Sequence, residues 1–223
     1  MRRLVVLSLA SCLAVSVAAF AQGTYKLETK SGLPGGDVTQ AVKDLLQPQG
    51  ASLLNGSGKV LCNVWLRKDL TLAKNPDMEG NVLYGKIAQG SLIGVIQFPE
   101  NAKDYRGQPV KAGYYTLRYE LIPQNGNHMG VSQYRDFLLL IPAAKDPGGD
   151  TPISFDDCVK LSREATDTGH PSIMMMDPVS DSDKTFPAVF QDYSQDWALQ
   201  EQTEVGGAKL PLAIVLVGQY QGE

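Results

Sequence analysis

The nine residues YYTLRYELI, Tyr114 to Ile122, constrain the fold more than any other stretch. Side chains of a strand alternate between its two faces. Tyr115, Leu117, Tyr119 and Leu121 therefore share one face, and Thr116, Arg118 and Glu120 share the other. The pattern predicts a half-buried antiparallel strand with one wet face. The run DFLLLIP at 136–142 is apolar without interruption and predicts a central strand beside it.

The same grammar recurs along the chain. ASLLNGSGKVLCNVWL places two apolar runs about an Asn-Gly-Ser-Gly turn, which predicts a hairpin. SLIGVIQF at 91–98 predicts a strand in which Gly94 either weakens the pairing or marks a bulge. Further strands follow at SIMMMD, FPAVF, DWALQEQ and LPLAIVLVGQY. Two helices interrupt them. Asp37 with Gln40 three residues on predicts the start of a short helix bearing Val38, Ala41, Val42, Leu45 and Leu46, stopped by Pro48 and Gly50. Ser154 with Asp157 predicts the capped start of a longer one over 155–167, with Phe155, Cys158, Leu161 and Ala165 facing the core and Gly169 and Pro171 ending it. Short strands without regular β-helix-β alternation predict a mainly β fold: an antiparallel β-sandwich with one packed α-helix and a short N-terminal helix, a single domain over 37–223. Residues 22–36, with KSGLPGGD, predict a lead-in or linker.

The chain opens with Arg2 and Arg3, an apolar run from Leu4 to Ala18 and Ala19-Phe20-Ala21. This is the pattern of an export signal cut before Gln22, spanning residues 1–21. The run is short for a membrane span, which needs roughly 20 apolar residues. Leu9-Ala10-Ser11-Cys12 resembles the lipobox of bacterial lipoproteins, so anchoring through Cys12 is the alternative. Removing the leader takes away Arg2 and Arg3 and moves the net charge from −4 to −6. An acidic chain excludes nucleic acid as a partner, which wants a basic face. No transmembrane segment is expected after the leader, so the expected location is periplasmic or extracellular. Cys62 and Cys158 remain, and an exported protein with an even pair invites a disulfide between them. Two separately buried thiols are the other reading.

GQPVKAGYYTLRYELIP followed by GVSQYRDFLLLIPA is similar to segments of uncharacterised exported bacterial proteins that share G-x-P-(I/V)-x-A-G-x-Y-T-L. Gly107, Pro109, Val110, Ala112, Gly113, Tyr115, Thr116 and Leu117 carry the resemblance. It implies a strand entering a β-sandwich, and it implies no activity or catalytic residue.

The chain has two histidines, each in a loop. If the strand at 134–142 runs down and the helix climbs back, His128 and His170 share one end of the sandwich, a geometry that the long turn at 143–153 is able to spoil. A ligand-binding loop platform of His128, Tyr134, Arg135, Asp136 and His170 is then expected. Imidazole and thioether together suit copper, so a metal site of His128, Met129, His170 and Met174 is an alternative, with copper as the cofactor. Ser172, His170 and Asp136 supply the residue types of a hydrolase, but no G-x-S-x-G elbow accompanies them. Trp65 and Trp197 lie in strands beside polar neighbours, which suits either core packing or stacking on a glycan. The reading as a whole is an exported, non-catalytic binding or structural module of the cell envelope. Its partner is an envelope protein or a glycan, with a metal-binding protein and a hydrolase as the alternatives.

Overall fold

The alternating segments become strands of a mainly β architecture. In the computed structural model, which describes residues 24–124, 132–182 and 184–218, the strands in chain order are β1 (Lys26–Ser31), β2 (Gln49–Leu54), β3 (Val60–Leu66), β4 (Asp69–Leu70), β5 (Leu92–Phe98), β6 (Ala102–Lys103), β7 (Pro109–Val110), β8 (Gly113–Leu121), β9 (Asp136–Pro142), β10 (Ser172–Asp177), β11 (Ala188–Gln191), β12 (Trp197–Val205) and β13 (Ala208–Val217). The helices are α1 (Gln40–Lys43) and α2 (Phe155–Ser162), the second prolonged by a 3-10 turn at Arg163–Ala165. The leader and lipobox expected at the N-terminus, and His128 and Met129, lie outside the described residues.

The strands join in the order β1-β2-β3-β5-β8-β9-β10-β13-β12-β11, with β4 parallel to β12 and the pairs along this path antiparallel. β6 and β7 form a small separate hairpin. β10 changes partners midway. Its residues 172–175 pair with β9, and Met176 and Asp177 pair with β13. A strand that switches sheets makes a corner between two leaves. Leu53, Val64, Ile96, Leu117 and Leu138 of the first leaf then meet Leu199, Leu212 and Ile214 of the second in one buried core. Each such side chain contributes roughly 1.5–3 kcal/mol on burial.

Local signals explain most elements. Asn55 closes the β2–β3 turn by accepting from the N–H groups of Ser57 and Lys59 through its side chain, each at 3.0 Å. The register of β5 shifts between Leu92 and Gly94. A Cβ at Gly94 would stand 2.2 Å from the Trp65 carbonyl oxygen, so the bulge needs glycine there. Ser154 caps α2 as expected, accepting from the Asp157 N–H at 3.2 Å while its hydroxyl donates to Asp157 Oδ2 at 2.6 Å.

Four expectations are corrected. Residues 26–31, read as part of a lead-in, form the edge strand β1 and pair with β2 from Lys26↔Leu54 to Ser31↔Gln49. The first helix is capped by Thr39 rather than Asp37 and spans a single turn. Cys62 packs in the inner core and Cys158 sits on α2 in the outer layer, so a sheet separates them and both thiols are free. Burial pushes the Cys62 thiol up to about 12, which holds it protonated. The polar face of β8 is not wet: Thr116, Arg118 and Glu120 are fully buried.

The cover over that face comes in three pieces. α1 lies over β3 and β5, where Val42 and Leu46 pack on Trp65, Leu92 and Val95. Trp65 is therefore core, and its indole N–H donates to the Gly32 carbonyl at 2.7 Å. The segment 143–153 lies over β8, and Asp146 grips Arg118 there with two hydrogen bonds, at 2.9 and 2.6 Å. Asp146 also accepts from Thr116 at 2.6 Å and from the Gly148 N–H at 2.7 Å. Burial works to raise the Asp146 carboxyl, but the hydrogen bonds and charge of Arg118 outweigh it and hold the group below its ordinary range. α2 completes the cover, with Cys158 facing Glu120.

Candidate functional site

The site is set by the route of the chain between β9 and β10. After β9 the segment 143–153 runs back along β8 to the level of Tyr119, where the Gly90 N–H donates to the Tyr119 carbonyl and the Ile153 N–H donates to the Gly90 carbonyl. A Cβ at Gly90, where φ is +77°, would stand 1.8 Å from the Ile153 carbonyl oxygen. So the connecting segment makes the return, and α2 runs the other way. The end of the helix lies near the start of β8, tied by the Lys145–Glu164 ion pair at 3.1 Å and the Val110↔Thr166 bridge. The part of β10 that pairs with β9 then starts opposite Leu140 and ends opposite Phe137.

This reverses the expected placement of His170. His170 precedes the start of β10, at the Pro142 end of β9. The described flanks of the loop that carries His128 lie at the Asp136 end. Those two ends stand roughly 20 Å apart at 3.3 Å per residue. Met174 points into the inner core, whereas His170 lies on the outer side, so those two share no site. Among the described residues no group of three or more His, Cys, Asp or Glu is placed to hold a metal. Ser172, Asp136 and His170 do not converge either, because Ser172 is buried at the level of Leu140 and Asp136 is paired with Leu121 at the far end.

Arg135 and Asp136 have structural partners. Asp136 is fully buried and accepts from the N–H groups of Leu83 and Tyr84 at 2.8 and 2.9 Å and from the Tyr119 hydroxyl at 2.7 Å. It thereby fastens the long β4–β5 connection across the end of the sandwich. Arg135 pairs with Asp77 at 3.2 Å and donates to the carbonyls of Ile122 and Glu79, each at 3.0 Å. The Tyr84 hydroxyl donates to the Asp177 carbonyl at 2.5 Å and accepts from the Ala213 N–H at 3.0 Å, pinning the corner where β10 changes sheets.

Beyond α2 the outer face of the first leaf opens into a cleft of about 680 Å³. Its floor is Phe137 and Leu139 of β9 with Ile173 and Met175 of β10, and Phe155 and Val159 of α2 form one wall. The opposite wall is the turn between β6 and β7. Asp104 organises that turn, accepting from the N–H groups of Arg106 at 3.0 Å and Gln108 at 2.8 Å. It also accepts from the Ile173 N–H at 3.2 Å, while the Tyr105 N–H donates to the Ile173 carbonyl at 3.0 Å. The turn is thus bonded to the edge of β10 and presents Tyr105 and Arg106 to the cleft. On the other side, Ser162 of α2 exchanges hydrogen bonds with the Ser172 backbone, both at 3.0 Å. His170 and Pro171 close the end at which Arg163 also stands.

A second cavity of about 610 Å³ adjoins the first and shares Tyr105 and Met175 with it. Tyr134 lines it, with Asp177, Asp192 and Asp196 and several serines. The Tyr105 hydroxyl donates to Asp196 at 2.9 Å. Burial, a hydrogen bond with Asp192 and its negative charge raise the Asp177 carboxyl well above the ordinary carboxylate range. The pair therefore holds a proton near neutrality. Of the expected platform, His170 and Tyr134 thus line adjoining cavities.

The sequence reading missed the cleft. A signal was present in α2, where Phe155, Val159 and Arg163 recur every fourth residue beside the buried row of Cys158 and Ser162. A helix with two apolar rows covers more than one surface. SIMMMD, apolar on both faces, likewise asks for cover on both sides.

No family model, curated protein or solved structure matches this chain. The fold and the site define a β-sandwich whose outer sheet face is roofed over β3, β5 and β8 and carries a cleft over β9 and β10. Among the described residues no helix is long and apolar enough to cross a membrane.

Proposed function

We propose that this protein is a non-catalytic binding module of the cell envelope whose ligand lies in the cleft over β9 and β10. One observation carries the reading. α1, the 143–153 segment and α2 roof the outer face over β3, β5 and β8, and beside α2 a concavity of about 680 Å³, lined mainly by apolar side chains of β9, β10 and α2, reaches the half-buried Ile173. Sites for small molecules are mostly apolar concavities of roughly 300–1,000 Å³ with a few polar groups at their rim, and this cleft has that composition. Export rests on the leader pattern of residues 1–21 and on the resemblance to exported proteins.

The test is titration of the chain lacking residues 1–21 with Nile red, a neutral apolar dye. The expected result is saturable one-to-one binding that is lost in Val159→Glu, with unchanged far-ultraviolet circular dichroism. Binding that does not saturate, or that survives the substitution, overturns the reading.

A further inference from the structure

The cleft has a direction. Its floor is apolar, but its two ends carry opposite charge. Arg163 and His170 stand at the end where β10 begins, and Arg106 lines the cleft without reaching the adjoining cavity. At the other end the adjoining cavity presents Asp177, Asp192 and Asp196. Neither Arg106 nor Arg163 has a carboxylate partner among the described residues. Arg163 follows the last turn of α2, where a cation suits the helix dipole. Arg106 has no such reason to be where it is. It sits at the tip of a turn whose backbone is fixed by Asp104 and by the edge of β10.

We propose that the cleft binds a single-chain anionic amphiphile, with the anionic head against Arg106, Arg163 and His170 and the apolar chain over Ile173 and Met175. The proposal rests on the binding reading above and names the class of ligand. Guanidinium groups form short, charge-assisted hydrogen bonds to carboxylate and phosphate oxygens, often two at a time. The chain has room to run from Pro171 toward Met175, past Phe155 and Val159. The carboxylates beyond Tyr105 oppose a negative head at that end, so the ligand enters in one orientation and a second anionic end is disfavoured. The pair Asp177 and Asp192 relieves its own repulsion by holding a proton, which leaves that end without a strong demand for a cation. The Arg end has no internal relief of this kind.

The experiment is displacement of Nile red from the chain lacking residues 1–21 by laurate, dodecanol and dodecyltrimethylammonium, each below its aggregation threshold. Laurate is expected to displace the dye at about tenfold lower concentration than either of the others, a size that fits charge-assisted hydrogen bonds at a partly wet rim. In the double variant Arg106→Gln, Arg163→Gln that advantage disappears, each displacement being referred to the variant's own dye affinity. Shortening the carboxylate by two methylenes weakens displacement, by about fourfold per methylene if each is fully buried. Equal displacement by the three compounds, tighter binding of the cation, or an unchanged laurate advantage in the double variant overturns the anionic class. With dye binding intact, any of these leaves the cleft reading standing. Failure of the dye to bind at all removes both.

Discussion

Two neighbouring stretches of one sheet face contrast sharply. On β8 the outward residues are Thr116, Arg118 and Glu120, polar or charged and completely buried. On β9 and β10 the outward residues Phe137, Leu139, Ile173 and Met175 are apolar and line a cleft, in which Ile173 is half-buried and the other three are buried. Side-chain polarity is the opposite of what each location suggests. Cover decides the matter: the 143–153 segment and α2 lie over β8, whereas Ile173 is left half-exposed at the cleft. A strand pattern tells which residues share a face. It does not tell what that face will meet.

The largest effect should come from breaking the charge pair under the roof. Removing one partner of a buried ion pair strands the other and typically costs about 3–5 kcal/mol. Asp146→Ala is expected to lose that much in urea unfolding, because Arg118 keeps only its 3.0 Å bond to the Gly90 carbonyl. A loss below 1 kcal/mol would show that the roof over β8 admits water.

Glu120 sharpens the contrast through pH. Among the described residues no N–H or O–H group donates to its carboxylate oxygens. Burial pushes the group up to about 7, against a smaller opposing effect of the Cys158 thiol. A carboxyl raised in the folded state binds more protons folded than unfolded between its ordinary value near 4.5 and about 7. The folded state therefore loses stability as pH rises through that window. Glu120→Gln should remove this dependence and be the more stable form at pH 8 by on the order of 3 kcal/mol, with little difference at pH 4.5. Unfolding midpoints of both proteins at the two pH values check it. Asp177 contributes a slope of the same sign, so the variant flattens the profile without abolishing it.

The open stretch should respond weakly where the roofed one responds strongly. Ile173 is only half-buried, and Ile173→Lys is expected to cost less than about 1 kcal/mol, as for most substitutions at open positions. Leu139, one strand away and fully buried, should lose several times more stability when changed to Lys. Similar melting temperatures for the two variants would erase the contrast. The smallest effect concerns the thiols. The chain lacking residues 1–21 should give no reaction with a thiol reagent when native and two thiols when unfolded, from Cys62 and Cys158. A mass change on reduction would contradict their separation by the sheet.

Much of the fold was legible in local chemistry. Ser154 with Asp157, the Asn55 turn, the Gly94 bulge and the alternation of β8 each act within a few residues, and each appears as read. The short first helix was legible in kind, although Thr39 caps it. The site was much less legible, because it depends on direction of travel. Whether 143–153 or α2 makes the return along the sheet is decided by Asp146 meeting Arg118 and by Ile153 meeting Gly90, contacts between residues far apart in sequence. Reversing that choice moves His170 to the opposite end from the one expected. Arg118 and Glu120 looked like solvent residues for the same reason, since their partners come from outside the strand.

The division of β10 between two sheets has a mechanical consequence. Its first four residues are hydrogen-bonded to one leaf and its last two to the other, with only the backbone between Met175 and Met176 in between. The two leaves are spliced through this strand, and the cleft floor is part of that splice. Slowing of amide exchange on β13 when a ligand fills the cleft, 10 residues of chain with no side chain on its floor, would be the signature of load passing from one leaf to the other through β10.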